Sequence, residues 1–378
     1  MVSDQAFPAW GGEGIATQNL CRELARRGHK LLVLTSRVPA PPREEGIEII
    51  RFPGLFVPKK GYFAVQLYTR IQAILKERKI EVVQVNLPTF LGWQVFVACK
   101  NLNIPKIAGI HVQTGNVLPV GNTFFSLLER PLRVWFSFFY NNADLLISPS
   151  LLGKKILSRY CRRKIEVVSN GVNLDVFNYF SVPAFKIQEF RKKFSLTNHP
   201  FILYVGRLSR EKNVEYLLKI ASALKKEAPE LKLLIVGQGE LKQKLHKKII
   251  TMDLISSVIL AGFLPLDELL CAYREALIFI LPSFYELQCI ACLEALAMGN
   301  PLLVAESEEN AARELVLEGY NGYLFSLENV RDPVEKIKKI LGNPELRKSM
   351  QEVSFSLAKK HDIRLSISKM EKIYSDLI

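Results

Sequence analysis

Residues 201–239 read FILYVGRLSREKNVEYLLKIASALKKEAPELKLLIVGQG, and this stretch decides the fold. Two short apolar runs, 201–208 and 231–239, flank a segment at 213–229 in which apolar residues recur at helical spacing. Runs this apolar are typical of parallel strands, because helices cover both faces of such a sheet. The stretch therefore predicts a strand, a crossover helix and a second, parallel strand of the same sheet.

The same alternation continues along almost the whole chain. Further strands are predicted in two groups, and the polar stretch 178–199 between the groups is interpreted as a linker. We therefore predict an α/β fold with two Rossmann-like, doubly wound parallel-sheet domains, 1–178 and 179–360. The predicted strands are 30–36, 82–86, 106–112, 145–150 and 165–172 in the first domain, and 201–208, 231–239, 258–264, 277–283 and 301–306 in the second.

The charge of the chain is uneven. Of its 378 residues 49% are hydrophobic and 23% charged, which is typical of a folded protein. Residues 1–180 carry 23 basic and 12 acidic residues, whereas residues 181–378 carry 28 and 25. The basic first half indicates an anionic partner, either nucleic acid or an acidic lipid surface, unless its charges serve solubility alone. Because the chain has no recognisable nucleic-acid reader motif, we expect no nucleic-acid partner.

Six cysteines lie mostly in apolar stretches without the spacing of a disulfide framework, so we expect a reduced, cytoplasmic protein. The sequence shows no signal peptide and no apolar run of the ~18 residues that span a bilayer. Cys289 and Cys292 form a C-x-x-C pair, which is compatible with a redox thiol or with half of a zinc site. A structural zinc site needs four ligands, and no second Cys/His pair lies at suitable spacing, so we predict no metal.

Open parallel sheets bind ligands at the carboxyl ends of their strands, and several motifs fall there. Gly12, within a Gly-Gly-x-Gly run before a helix, would let the backbone approach an anion, although a simple turn explains it equally well. Arg207 and Lys212 lie between a strand and a helix and suit a diphosphate, or else form a solvated surface pair. Gly237 marks either a turn or space for a nucleotide.

Two carboxylates flank the C-x-x-C pair. Glu286 falls in the turn after the strand at 277–283, and Glu294 falls about one turn into the helix that follows. Both side chains can then face the strand ends, where carboxylate oxygens would accept hydrogen bonds from sugar hydroxyls. His111 lies at the end of a predicted first-domain strand and is either a structural histidine or part of the same cleft.

Taken in order, these motifs form one pattern: G-G-x-G, G-R-L-x3-K-N, V-G-x-G-E-L, A-G-F-L and P-S-x-x-E-x7-E-A-L-A-x-G-x-P. The pattern covers nearly the whole chain and resembles the GT-B glycosyltransferases of family 4, which are retaining nucleotide-sugar transferases. The resemblance implies two domains that face across a cleft, the first on the acceptor side and the second binding the nucleotide sugar. It also implies that residues 361–378 form a helix that crosses back to the first domain.

The resemblance assigns roles at the donor diphosphate. Arg207 and Lys212 would hold the diphosphate and stabilise it as the leaving group, with no metal and no other cofactor. The backbone N–H groups around Cys289, Ile290 and Ala291 would face the phosphates. Gly12 would allow the first-domain backbone to approach the same phosphates closely.

The sugar and the nucleotide have their own residues in the family pattern. Glu286 would hold hydroxyls of the transferred sugar and Glu294 the ribose hydroxyls. His111 would lie near the donor sugar from the acceptor side. The remaining donor-binding positions are the strand-end glycines and the segment beside the base: Gly206, Gly237, Phe263 and Leu264.

The chain departs from the family pattern in two places. Many members have Glu-Gly-Phe-Gly where this chain has Glu286-Leu287-Gln288-Cys289, which leaves a UDP-linked and a GDP-linked donor both open. Members also begin with a full apolar strand, whereas only three residues precede Asp4 here. Either the start is placed too late, or the first sheet lacks most of a central strand.

The acceptor is inferred from the first domain. Residues 56–79 and 122–142 are rich in aromatic and basic residues, which suits either a membrane interface or core packing. We hypothesise a peripheral enzyme on the inner face of the membrane that glycosylates a lipid or lipid-linked acceptor. The alternatives are a catalytically inactive GT-B partner protein and a basic nucleic-acid-binding protein, and the intact Arg207, Lys212, Glu286 and Glu294 argue against the first of these.

Overall fold

The computed structural model describes residues 1–9, 11–38, 44–57, 61–113, 123–159 and 161–378. The chain divides into two compact units. The first unit comprises Met1–Gly171 together with Ile363–Ile378, and the second comprises Val172–Asp362. None of the described helices combines the length and the apolar character that a bilayer-spanning segment needs.

The first unit is built on a parallel sheet. Its strands are β1 (Leu31–Ser36), β2 (Ile47–Phe52), β3 (Gly54–Val57), β4 (Gly61–Ala64), β5 (Val83–Val85), β6 (Lys106–Gly109), β7 (Leu145–Ser148) and β8 (Ile165–Val167). Its helices are α1 (Gly11–Arg26), α2 (Tyr68–Glu77), α3 (Phe90–Leu102), α4 (Thr123–Asn141), α5 (Leu151–Leu157) and the C-terminal helix (Ile363–Ser375). The C-terminal helix packs against α1.

The centre of this sheet is occupied by the first residues of the chain. Strands β5 to β8 pair in chain order, and β1 pairs with β2. Val2 bridges the two groups, because it lies between Leu34 of β1 and Val85 of β5. Its N–H donates to the Gln84 carbonyl at 2.8 Å, and its carbonyl accepts from the Asn86 N–H at 3.0 Å. The residues around Val2 thus occupy the position of the central strand, most of which was expected to be missing under one of the two interpretations of the sequence.

Three strands of the first unit were not predicted. Strand β2 pairs in parallel with β1 over its full length, and β3 and β4 form an antiparallel hairpin. All four residues of β3 are exposed, so this strand lacks the buried apolar run by which the other strands were recognised. The glycine run at 11–14, predicted to precede a helix, instead forms its first turn, since α1 begins at Gly11.

The second unit contains one six-stranded parallel sheet in the order β11-β10-β9-β12-β13-β14. This is the doubly wound order 3-2-1-4-5-6, whose switch point lies between β9 and β12. The strands are β9 (Phe201–Val205), β10 (Lys232–Val236), β11 (Val258–Gly262), β12 (Ile278–Leu281), β13 (Leu302–Ala305) and β14 (Gly322–Phe325), of which β14 was not predicted. The helices are α6 (Ala184–Lys193), α7 (Val214–Glu227), α8 (Lys242–Thr251), α9 (Leu266–Glu275), α10 (Ile290–Ala297), α11 (Arg331–Leu341) and α12 (Pro344–Lys360).

The interpretation of 178–199 as a linker is wrong. The stretch contains α6, which packs against α9 within the second unit. Phe190 is buried in the core, and Arg191 forms an ion pair with Glu275 at 2.7 Å. Phe190 is the one buried residue of this helix, which otherwise exposes many charges, and this is why its composition resembled that of a connecting segment.

Candidate functional site

The loop after β9 holds a cation at the edge of the second sheet. Arg207 is about half exposed (45%), and its Nη2 lies 3.1 Å from Glu211 Oε1. Burial would raise the pKa of Glu211, but the Arg207 guanidinium and the hydroxyl of Ser209, which donates at 2.6 Å, outweigh burial and the pKa is lowered. Glu211 therefore stays ionised and holds Nη2 of the guanidinium, while about half of the Arg207 side chain remains exposed.

Lys212 and Glu286 form a buried ion pair at the same edge. Their Nζ and Oε1 atoms lie 2.6 Å apart, and the side chains are only 16% and 6% exposed. Burial would lower the pKa of Lys212, but the carboxylate of Glu286 outweighs burial and the pKa is raised. The structure thus brings together two residues that lie 74 positions apart in the chain and that the sequence assigned to one site.

The backbone of Glu286 is fixed on both sides. Its N–H donates to the Glu309 carbonyl at 3.0 Å, and its carbonyl accepts from the Ala311 N–H at 2.8 Å. Between these partners the buried amide of Asn310 donates to the carbonyls of Ser283 and Ala305, both at 3.1 Å. This clamp holds the turn after β12 without using the carboxylate, which remains available to Lys212 and to a ligand.

Glu294 lies on α10, where its carboxylate accepts a hydrogen bond from the Tyr273 hydroxyl at 2.7 Å. Burial raises the pKa of Glu294 to about 7, and the Tyr273 hydroxyl opposes this shift. One oxygen is thus held by α9 while the other can accept from a ligand hydroxyl. Tyr273 was not predicted from the sequence, because nothing in the α9 sequence marks a residue that contacts α10.

We predict that, with Glu294 binding a nucleotide sugar as the family resemblance implies, Tyr273→Phe weakens this binding in a pH-dependent way. The hydroxyl stabilises the ionised form of Glu294, so its removal should raise that pKa above about 7 and leave the carboxyl protonated at neutral pH. The dissociation constant of a nucleotide sugar should rise roughly tenfold at pH 7 and recover towards the wild-type value at pH 9, as calorimetry can measure. Tyr216→Phe, which removes a hydroxyl bound to the Ser326 carbonyl, is the control. A pH-independent loss would contradict the role.

Gly237 shapes the strand ends beside Arg207. Its φ is +138°, and a Cβ there would lie 1.9 Å from the carbonyl oxygen of Gly206. The Gly237 N–H donates to the Gly262 carbonyl at 2.7 Å, which joins the ends of β10 and β11, and the Gly206 N–H donates to the Val236 carbonyl at 3.0 Å, which joins the end of β9 to β10. Only glycine permits this packing, so the turn interpretation of Gly237 is required by the fold whatever the ligand. Directly after β11, Phe263 is exposed (74%) and Leu264 is buried.

The cysteines of the C-x-x-C pair are buried at the start of α10. Cys289 is the residue before the first turn, so the N–H groups of Ile290 and Ala291 point out of the helix end. Burial raises the pKa of the Cys292 thiol well above its ordinary value, which is the opposite of an activated redox thiol. Among the described residues, no three His, Cys, Asp or Glu side chains converge so as to hold a metal ion.

The first unit places its two predicted residues at the edge of its own sheet. Gly12 lies in the first turn of α1, and a Cβ there would meet no atom within 4 Å, so the glycine is not required by local packing. His111 follows β6, and burial lowers its pKa to about 4, which makes it neutral at pH 7. Beside Gly12, Glu13 accepts from the hydroxyls of Ser3 (2.9 Å) and Thr17 (2.7 Å), and its pKa is raised to about 7 by burial. The sequence did not predict this role of Glu13 beside Gly12.

Comparison with known proteins gives matches to both units. The profile of Glycosyltransferase Family 4 matches residues 10–176, and that of Glycosyl transferases group 1 matches residues 186–355. The sulfoquinovosyl transferase SQD2 of Arabidopsis thaliana is 26% identical over 93% of this chain and 68% of its own. The alpha-monoglucosyldiacylglycerol synthase of Acholeplasma laidlawii is 25% identical over 100% and 96%. Anabaena HepE, solved in complex with UDP-glucose, has a TM-score of 0.81 at 17% identity, covering 100% and 98%.

Proposed function

Because the chain belongs to the group 1, family 4 glycosyltransferases, which have the GT-B fold, we propose that it transfers a hexose from a nucleotide-diphosphate sugar to a lipid or lipid-linked acceptor. The proposed reaction retains the configuration of the anomeric carbon and needs no metal. The buried Lys212–Glu286 pair beside the half-exposed Arg207 is the observation that carries the proposal.

The proposed donor site uses the edge of the second sheet. Arg207 and Lys212 would bind the diphosphate, and the N–H groups at the start of α10 would add donors to the phosphate oxygens. Glu286 would accept from hydroxyls of the hexose and Glu294 from the ribose. The ion pair with Glu286 fixes the ammonium group of Lys212 before a ligand arrives, so little reorganisation is needed on binding.

The family resemblance implies the bond changes of the proposed reaction. The acceptor hydroxyl oxygen bonds to the anomeric carbon as the bond from that carbon to the phosphate oxygen breaks, and the hydroxyl proton passes to the leaving phosphate. Negative charge then accumulates on the diphosphate, where Arg207 and Lys212 would stabilise it. His111 is neutral at pH 7, so it would act near the sugar as a hydrogen-bonding group rather than as a cation.

The acceptor class is supported by two observations. One relative is named as a synthase of a glucosyldiacylglycerol, which is a glycolipid. The first half of the chain, matched by the Family 4 profile, also carries the basic excess, with 23 basic and 12 acidic residues in 1–180. Both observations support an enzyme that works at the cytoplasmic face of an anionic membrane.

A ligand screen followed by a transfer assay tests the proposal. Among UDP- and GDP-linked hexoses, the true donor is expected to raise the apparent melting temperature of the protein, because it binds only the folded state. The stabilising donor, supplied with diacylglycerol or a monoglycosylated lipid in mixed micelles, should then yield a glycolipid whose anomeric configuration matches that of the donor. EDTA should leave the rate unchanged. Inverted product, loss of activity with EDTA, or no stabilisation by any donor would contradict the respective part of the proposal.

A further inference from the structure

The β3–β4 hairpin exposes an unusual amount of apolar surface. Leu55 is 68% exposed and Phe56 54%, and Val57 beside them is also exposed. The ring of Phe56 packs at 4.9 Å against Tyr62 of β4, which stiffens the hairpin without covering it. Soluble monomers seldom leave large contiguous apolar patches uncovered unless another surface binds there.

The exposed surface continues from the hairpin to the first turns of two helices. The Val65 N–H donates to the Pro53 carbonyl at 2.9 Å, which holds the chain leaving β4 against the base of the hairpin. Leu67 (62% exposed) and Tyr68 follow, and the Tyr68 N–H donates to Gln94 Oε1 of α3 at 3.0 Å. The hairpin, the start of α2 and the start of α3 are therefore neighbours.

Helix α4 extends the same surface. Trp93 of α3 contacts Trp135 and Phe138 of α4, with ring centroids 6.2 and 4.7 Å apart. Val134 and Phe138 are exposed, and Arg130 lies one turn before Val134, so the three share one line along the helix. We name this surface the apolar face and define it by residues 55–57, 65–68, 134 and 138.

Most charges around the apolar face are basic, and the acidic Glu129 of α4 is paired with Arg133. Residues 49–76 contain five Lys or Arg residues and no Asp or Glu. The Arg70 guanidinium lies 5.7 Å from the ring centroid of Phe52, next to the hairpin, and the Arg37 N–H donates to the Phe52 carbonyl. Lys59 and Lys60, which the sequence analysis included in this region, lie outside the described residues.

We infer that the apolar face and its basic surroundings dock on an anionic lipid bilayer. Aromatic and aliphatic side chains would enter the interface while Arg37, Arg70 and Arg130 contact the headgroups. A second copy of the chain is a poorer occupant, because it would bring the same basic charges against this surface. The inference rests on the proposed lipid acceptor, since docking would place the enzyme where that acceptor lies.

Vesicle flotation of the full chain tests the inference. Wild-type protein should float with vesicles containing about 30% phosphatidylglycerol and much less with phosphatidylcholine alone, and added salt should weaken the binding. Leu55→Ser with Phe56→Ser should reduce the bound fraction at least about tenfold. Because both side chains are mostly exposed and only the contact between Phe56 and Tyr62 is lost, the melting temperature should fall by no more than a few degrees. The matched control is Ile255→Ser with Tyr320→Ser, which removes side chains 66% and 70% exposed on the second unit.

The outcomes separate this inference from the proposed function. Flotation of the Leu55→Ser/Phe56→Ser variant at the wild-type level, or equal loss in the Ile255→Ser/Tyr320→Ser control, would overturn the docking surface. A wild-type dimer that this variant converts to a monomer in light scattering would assign the face to a second copy and overturn it as well. Donor binding and transfer in detergent micelles should be unchanged in the variant. If micellar transfer is absent while flotation depends on the face, the proposed function fails and the docking surface stands.

Discussion

Lys212→Met is expected to lower the rate of sugar transfer by about 10³-fold at saturating donor, because it removes a fixed cation from the diphosphate that gains charge as the bond breaks. Single-turnover measurements with the donor identified by ligand screening would report the effect on the chemical step. The control is Lys186→Met, which removes an exposed lysine paired with Asp267 and should leave the rate unchanged.

The structure complicates the test of Lys212, since the residue also stabilises the fold. Removing one partner of a buried pair leaves Glu286 as an uncompensated carboxylate, which should cost about 3 kcal/mol of unfolding free energy. Glu286→Gln should likewise destabilise by leaving the Lys212 ammonium without its partner. The double variant Lys212→Met/Glu286→Gln removes both charges, so its stability should return close to that of the wild type while transfer stays about 10³-fold slower.

This comparison decides between a structural and a functional pair. If the double variant recovers both stability and transfer, Lys212 and Glu286 act only in folding, and the catalytic assignment is wrong. If it recovers stability alone, the lost transfer cannot be attributed to unfolding. Denaturant titration and the transfer assay on the same preparations provide both measurements.

The strands whose ends carry the proposed donor-binding residues could be predicted from the sequence because they are buried on both faces. β9, β10 and β12 are short, apolar and β-branched or aromatic, and each is followed by glycine, proline or a polar turn. The motifs at their ends then had a fixed place at one edge of the sheet. Prediction was least successful where burial was incomplete, as in the β3–β4 hairpin, or where charges dominated, as in α6.

The pairings within the site could not be predicted in the same way. The sequence placed Lys212 and Glu286 at one edge but gave no reason to expect a direct ion pair, which depends on the turn at Arg210–Lys212 meeting the loop after β12. The Phe284 N–H donates to the Glu211 carbonyl at 3.0 Å, and this hydrogen bond holds the turn against the loop after β12. The Tyr273–Glu294 hydrogen bond similarly depends on how two helices pack, which no local pattern of residues records.

Gly237→Ala is expected to cost about 4 kcal/mol of unfolding free energy, a loss at the upper end for single substitutions. The added methyl group would lie 1.9 Å from the Gly206 carbonyl oxygen, and this atom cannot move aside because it belongs to the backbone of the central strand's end. The φ of +138° adds strain that an L-residue cannot relieve without rotating the N–H away from the Gly262 carbonyl.

Gly262→Ala separates the clash from the backbone strain. Gly262 lies at the same edge with a φ of +72°, yet a Cβ there would meet no atom within 4 Å. It should therefore cost only about 1 kcal/mol, the typical penalty of the left-handed conformation. Urea unfolding of both variants would measure the difference, and equal losses would show that the contact with Gly206 contributes nothing. A Gly237→Ala loss several times larger would mean that the close packing of β9 and β10, on which the position of Arg207 depends, leaves no room for a side chain.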